Sequence, residues 1–177
     1  MHKVILNEES IFFDFVNSPK NFEINRDEIK HGIMYGYINN KNLNQYPVDH
    51  CLPLDYFEEY IQHFFTQKIN YEFNIVLRNK YGFLLKQDES VSLKNDINIL
   101  DLKHSPDYTL IYGVELEDMS SNLIVHHNNK KIPNCTWTIP MQNNKFIIFP
   151  SHLNYEITKN MSKINGCYLI QTYYEMK

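Results

Sequence analysis

The chain has 177 residues, which suits one domain with a full hydrophobic core and leaves little room for two. Its formal net charge is -4, and Lys, Asp and Glu are scattered without a basic stripe, so neither a nucleic-acid nor an anionic-membrane surface is indicated. No apolar run is long enough to span a bilayer, and the opening residues Met1 to Glu9 are too short and too acidic for a signal peptide.

Cys51, Cys135 and Cys167 are far apart and odd in number, which reads as reduced thiols in a cytosolic setting. There is no alanine, and the only arginines are Arg26 and Arg78, a bias expected of an AT-rich genome such as those of many phages and streamlined bacteria. Without the best helix former, and with Ile, Tyr and Phe abundant, the composition leans towards β structure.

In chain order, residues 1–50 read as an irregular N-terminal extension. It has short strands at Ile11 to Val16 and Ile33 to Ile38 and a polar loop from Asn39 to Gln45. Residues 53–68 form one amphipathic helix. Pro53 fits its first position, and Leu54, Phe57, Ile61, Phe64 and Phe65 make an apolar stripe. Asp55, Glu58 and Glu59 are read as its solvated face. From Tyr71 the pattern turns to strands. Tyr71 to Leu77 and Tyr81 to Leu85 are separated by a turn at Arg78 to Lys80, and Asp96 to Leu102 follows. Tyr108 to Leu116 places Tyr108, Leu110, Tyr112, Val114 and Leu116 on one face. Short strands follow at Leu123 to Val125, Cys135 to Ile139, Phe146 to Phe149, Leu153 to Ile157 and Cys167 to Tyr174. Trp137 shares a strand face with Cys135 and Ile139, which reads as core. The whole reads as a mainly β single domain, 1–177. Residues 71–177 form an eight-stranded jelly roll, with the 53–68 helix packed on it.

The stretch Phe149, Pro150, Ser151, His152, Leu153, Asn154, Tyr155, Glu156 and Ile157 resembles the corner that carries the distal metal ligand in small Fe(II)/2-oxoglutarate oxygenases, including those encoded by tailed phages. Tyr108 to Leu116 and Cys167 to Tyr174 resemble that family's neighbouring core strands, so the resemblance extends over a double-stranded β-helix. It implies two His and one carboxylate facing a metal ion. Laid residue on residue, Tyr155 stands where the distal His is expected. For the proximal pair, one alignment places His104 at the His and Pro106 at the carboxylate, and another places Lys94 at the His and Asp96 at the carboxylate. The closing strand brings no cation for an oxo-acid, and Lys163 nearby sits in a loop.

Other signals are bland. His126 and His127 point opposite ways on a strand and read as turn histidines beside Asn128 and Asn129. His50 beside Cys51 does not make an activated thiol by adjacency. No glycine loop for a nucleotide is present.

The sequence is therefore read as a degenerate oxygenase-type jelly roll without a cofactor. Its expected role is non-catalytic, as a structural or protein-interaction module made in the cytoplasm and incorporated in a phage virion or assembly. Its expected partners are other protein subunits, with Tyr35, Tyr37 and Tyr46 as contact candidates. The alternative is an active dioxygenase with atypical ligands among His104, Asp96, Asp107 and His152. A third reading is a metal-free binder of a carbohydrate or small molecule at the barrel mouth.

Overall fold

The computed structural model describes residues 9–16, 24–40, 44–48, 51, 53–68, 74–127 and 135–176. His50, the start of the strand expected from Tyr71, part of the loop expected before Gln45, and Asn128 with Asn129 lie outside the described residues. The elements run β1 (Phe12–Phe15), α1 (Arg26–Asn39), β2 (Tyr46–Pro47), α2 (Pro53–Lys68), β3 (Asn74–Leu85), β4 (Val91–Lys94), a 3-10 turn (Leu102–His104), β5 (Tyr108–Glu115), β6 (Asn122–His127), β7 (Cys135–Pro140), β8 (Lys145–Pro150), β9 (Asn154–Ile157) and β10 (Gly166–Met176). Among the described residues, no helix is long and apolar enough to cross a membrane.

One sheet runs β1-β8-β5-β10-β3-β2 and the other β4-β9-β6-β7, with antiparallel pairing throughout. The chain repeatedly crosses between the two from β3 to β10. This makes the expected jelly roll, with β1 and β2 added at the edges of the larger sheet.

The larger sheet is buried on both faces, because alternate residues of its strands feed two separate cores. Leu110, Tyr112, Val114, Phe146, Ile148, Cys167 and Leu169 face the helices. Ile111, Ile147, Phe149, Tyr168, Ile170, Tyr81 and Phe83 face the smaller sheet, which supplies Leu123, Val125, Tyr155 and Ile157. Leu116 joins the inter-sheet core rather than the Leu110 face, past a register irregularity at the Cys167 end of the β5–β10 ladder.

α2 has the expected bounds, and Leu54, Phe57, Ile61, Phe64 and Phe65 are all buried against the larger sheet. Each such side chain contributes about 1.5–3 kcal/mol on burial. Glu58 departs from the solvated-face expectation. It pairs with Lys80 on β3 at 3.0 Å and accepts from Gln171 on β10 at 3.4 Å, while Asp55 and Glu59 stay exposed.

Four further expectations are corrected. Residues 33–38 are helix, not strand. Asn25 caps α1 by accepting from the Glu28 amide, and Ile29, Gly32, Ile33 and Gly36 form its buried stripe. Gly36 of α1 and Gly82 of β3 let the helix lie close to the sheet: a Cβ on Gly36 would meet Tyr46 at 2.7 Å, and one on Gly82 would meet Ile33 at 2.2 Å. Arg78 to Lys80 is no turn but part of the continuous strand β3, where a bulge against Thr172 and Tyr173 absorbs the irregular pattern. Asp96 to Leu102 is a loop entering a short 3-10 turn, held by Asn98, Asp101 and Ser105 hydrogen bonds. Trp137 is 45% exposed rather than core, because β7 is the outer strand of the smaller sheet.

Candidate functional site

The site grows from the pairing of β4 with β9. Val91 lies opposite Ile157 and Lys94 opposite Tyr155, with a register shift between the two pairs. That slip sets Lys94 and Tyr155 side by side, since register decides which side chains share a face. Tyr155 is fully buried between the sheets, edge-on to Phe149 with ring centroids 5.1 Å apart.

Asp96 follows two residues after Lys94 and returns to the same interior. Its amide donates to the Ser151 carbonyl at 3.2 Å. Its Oδ2 accepts from the Tyr155 hydroxyl at 3.0 Å and from Thr109 Oγ1 at 2.9 Å, and Thr109 is 2.9 Å from Ser151 Oγ. The Phe149-Pro150-Ser151 corner thus does more than turn the chain, because its serine fixes both Asp96 and Thr109.

Lys94 completes the group. Its Nζ is 3.5 Å from Asp96 Oδ1 and donates to the Tyr81 hydroxyl at 3.1 Å. It also lies over the Tyr155 and Tyr81 rings, 5.2 and 5.7 Å from their centroids, in cation–π range. The pair is largely withdrawn from water, with side-chain exposures of 31% for Lys94 and 13% for Asp96. Burial, and then the Asp96 carboxylate, push the phenols of Tyr155 and Tyr81 well above the ordinary range, so both stay protonated. Beyond Lys94 the interior opens into a cleft of about 690 Å³, lined among others by Tyr37, Tyr46, Tyr81, Val91 and Leu93.

The residues singled out in the sequence are distributed as follows. Lys94, Asp96 and Tyr155 converge. Pro106 is buried just before β5. His104 lies outside, paired with Asp101 at 2.9 Å. The Asp107 carboxylate accepts from the Glu175 amide at 2.8 Å. His152 pairs with Glu9 at 2.7 Å, and the same Glu9 meets His127 at 2.5 Å, while His126 pairs with Glu156 at 3.2 Å. Among the described residues, no three His, Cys, Asp or Glu side chains are grouped so as to hold a metal ion. Tyr35 is exposed on α1, Tyr37 borders the cleft, and Tyr46 is buried on β2 against Tyr37, which removes it as a contact candidate. Burial pushes the Cys167 thiol up to about 12, unsuited to thiolate chemistry. Thr109, Ser151 and Tyr81 were missed. Only the serine of the Phe-Pro-Ser corner carried a sequence signal.

The donor set does not fit a mononuclear iron site. An ammonium only donates hydrogen bonds, a phenol held protonated is a poor ligand, and Asp96 already serves Tyr155, Thr109 and Lys94. The interior side of β10 carries Tyr168, Ile170 and Thr172 and no cation, and Lys163 is exposed.

No family model matches the chain. Among curated proteins it is similar to one from Plasmodium falciparum described as an inactive adenylate kinase, with 28% identity over 170 residues, 93% of this chain. The chain spans 59% of the length of that relative. Solved structures with the same fold include a non-heme alpha ketoglutarate dependent carbocyclase from nogalamycin biosynthesis, with a TM-score of 0.65 and 5% identity over 94% of this chain and 79% of that one. A prolyl hydroxylase from Trichoplax adhaerens, in complex with a hypoxia inducible factor peptide fragment, has a TM-score of 0.62 and 12% identity over 96% of this chain and 84% of that one. The collagen prolyl hydroxylase of Paramecium Bursaria Chlorella virus-1, as its 2OG complex, has a TM-score of 0.61 and 11% identity over 97% of this chain and 98% of that one. The fold is thus the jelly roll of the 2OG-Fe(II) oxygenases.

Proposed function

We propose that this chain is a non-catalytic interaction module on an oxygenase-type jelly roll, acting as a subunit of a larger protein assembly. One observation carries the reading: the interior position expected to hold a metal is occupied by the bonded set Lys94, Asp96 and Tyr155. Supporting it, the loop after β4 holds Ile99, Leu100 and Leu102 out in solvent, 76%, 96% and 66% exposed, and clustered exposed aliphatics are a feature of contact surfaces. A phosphoryl-transfer role is not taken over from the Plasmodium relative, because the chain has no Gly-x4-Gly-Lys-Ser/Thr loop.

The competing reading is an iron oxygenase that uses Asp96 with His104, Asp107 or His152. Anaerobic incubation with Fe(II), desalting and metal analysis, followed by a 2-oxoglutarate turnover assay, decide between the two. The proposal expects iron far below stoichiometric and no succinate above a protein-free control. One iron per chain with succinate release overturns it. Leu100→Asp is expected to release the chain from its native assembly while leaving its melting temperature unchanged. Retention of the variant in the assembly removes the loop from the proposal.

A further inference from the structure

We infer that the Lys94 ammonium is a built-in stand-in for a metal cation, and that positions 94, 96 and 155 form a latent metal site which two substitutions open. The inference rests on the iron-free reading above and adds to it what replaces the ion.

Three observations on this structure lead there. The first is placement. Lys94 and Tyr155 are direct partners across β4 and β9, and residues so opposed have Cβ atoms about 4.5–5.5 Å apart on one face. Asp96 reaches both of them, the Lys94 Nζ at 3.5 Å and the Tyr155 hydroxyl at 3.0 Å. The three positions therefore converge on one small volume between the sheets. The second observation is charge. A carboxylate withdrawn from water must be matched by a cation and by hydrogen bonds. Asp96 receives its hydrogen bonds from Tyr155 and Thr109, and its cation is Lys94. The third is connectivity. Lys94 also bonds Tyr81 of β3 and lies over the Tyr155 ring of β9, so one positive charge ties the two sheets together. A coordinated ion ties its ligands together in the same way.

The ammonium and the phenol are the two groups that bar a metal. Histidine at 94 and at 155 puts two imidazoles beside the existing carboxylate, the ligand set that holds Fe(II) or Co(II) on one face. The test uses the full chain as wild type, Lys94→His, Tyr155→His and the double variant, titrated anaerobically with Co(II) alone. Visible absorption, metal content after desalting, and the melting temperature with and without chelator are read. Wild type is expected to show no Co(II) band and no effect of Co(II) or chelator on melting. The double variant is expected to bind one Co(II) per chain, with single variants at least tenfold weaker. Its melting temperature is expected to rise by about 5–10 °C at a hundredfold excess over Kd, reversed by chelator.

A folded double variant that binds no Co(II) overturns the inference and leaves the iron-free reading standing. Wild type that itself loads iron and turns over 2-oxoglutarate overturns both. Should the double variant fail to fold, Lys94→Met and Lys94→Met with Asp96→Asn decide instead. The single change is expected to lower the melting temperature and the second to restore most of the loss, because the carboxylate then no longer needs a cation. A Lys94→Met chain that melts like wild type overturns the inference.

Discussion

Tyr155→Phe removes one oxygen from the interior and leaves the ring stacked edge-on to Phe149. The lost contact is the 3.0 Å hydrogen bond to Asp96 Oδ2. Hydrogen bonds to charged groups contribute about 1.5–3 kcal/mol each. Asp96 keeps Thr109 and Lys94 in the variant, so the lower end applies, about 1.5 kcal/mol. For a chain of this size that is a fall in melting temperature of about 3–6 °C. Tyr168→Phe is the matched control, since its buried hydroxyl meets Ser121 Oγ at 2.5 Å and no charge is involved. A neutral bond contributes nearer about 1 kcal/mol. Urea unfolding of both variants at neutral pH measures the two costs on one scale. The reasoning is refuted if Tyr155→Phe is as stable as wild type, or if it costs less than Tyr168→Phe, because the carboxylate would then not be drawing on the phenol.

Alkaline pH gives a second expectation. Burial raises the phenols of Tyr81, Tyr112, Tyr155, Tyr168 and Tyr173 above the ordinary 10.0. The folded chain then holds protons that the unfolded chain releases. Stability is therefore fully present below about pH 10 and declines as pH rises above it, which urea midpoints across that range will show. A flat profile to pH 11.5 or so contradicts it. Gly82→Ala places a Cβ about 2.2 Å from Ile33, and overpacking of this kind costs about 1–3 kcal/mol. Adding Ile33→Val is expected to recover part of that loss, and no recovery locates the strain elsewhere. Glu9→Gln breaks both ion pairs to His127 and His152 and is expected to speed amide exchange across β1. Global stability should fall by less than about 1 kcal/mol, since surface pairs contribute little. Unchanged exchange refutes a pinning role.

Much of the architecture follows from local pattern. Leu54, Phe57, Ile61, Phe64 and Phe65 repeat at helical spacing, and α2 needs no tertiary context to be recognised. Tyr108, Leu110, Tyr112 and Val114 do share one face of β5, although the residues between them are buried as well, on the inter-sheet side. α1 was hidden because Ile33, Tyr35, Tyr37 and Ile38 are strand formers. The readable signal was Asn25 three residues before Glu28, at the spacing of a helix cap, with Gly32 and Gly36 one turn apart. Asp96 to Leu102 alternates as a strand would, yet Asp96 is drawn inward by Tyr155 and Thr109 while Leu100 is left in water. The site was half readable. Lys94, Asp96 and Tyr155 each stood out against the family pattern, but that two of them are cross-strand partners depends on a one-residue register shift, which nothing in the local sequence encodes.

The double burial of the larger sheet bears on how this protein can be cut. A fragment starting at β3 would carry every strand of the barrel and lose only β1, β2 and the helices. It would also bare Leu110, Tyr112, Phe146, Ile148 and Leu169 as one continuous apolar wall. Such a wall on an antiparallel sheet invites self-association. The part of the chain before β3 is therefore no ornament on a self-sufficient barrel. Expression boundaries, protease sites and fusion points that separate α1 and α2 from the strands should yield an aggregating species rather than a smaller folded one.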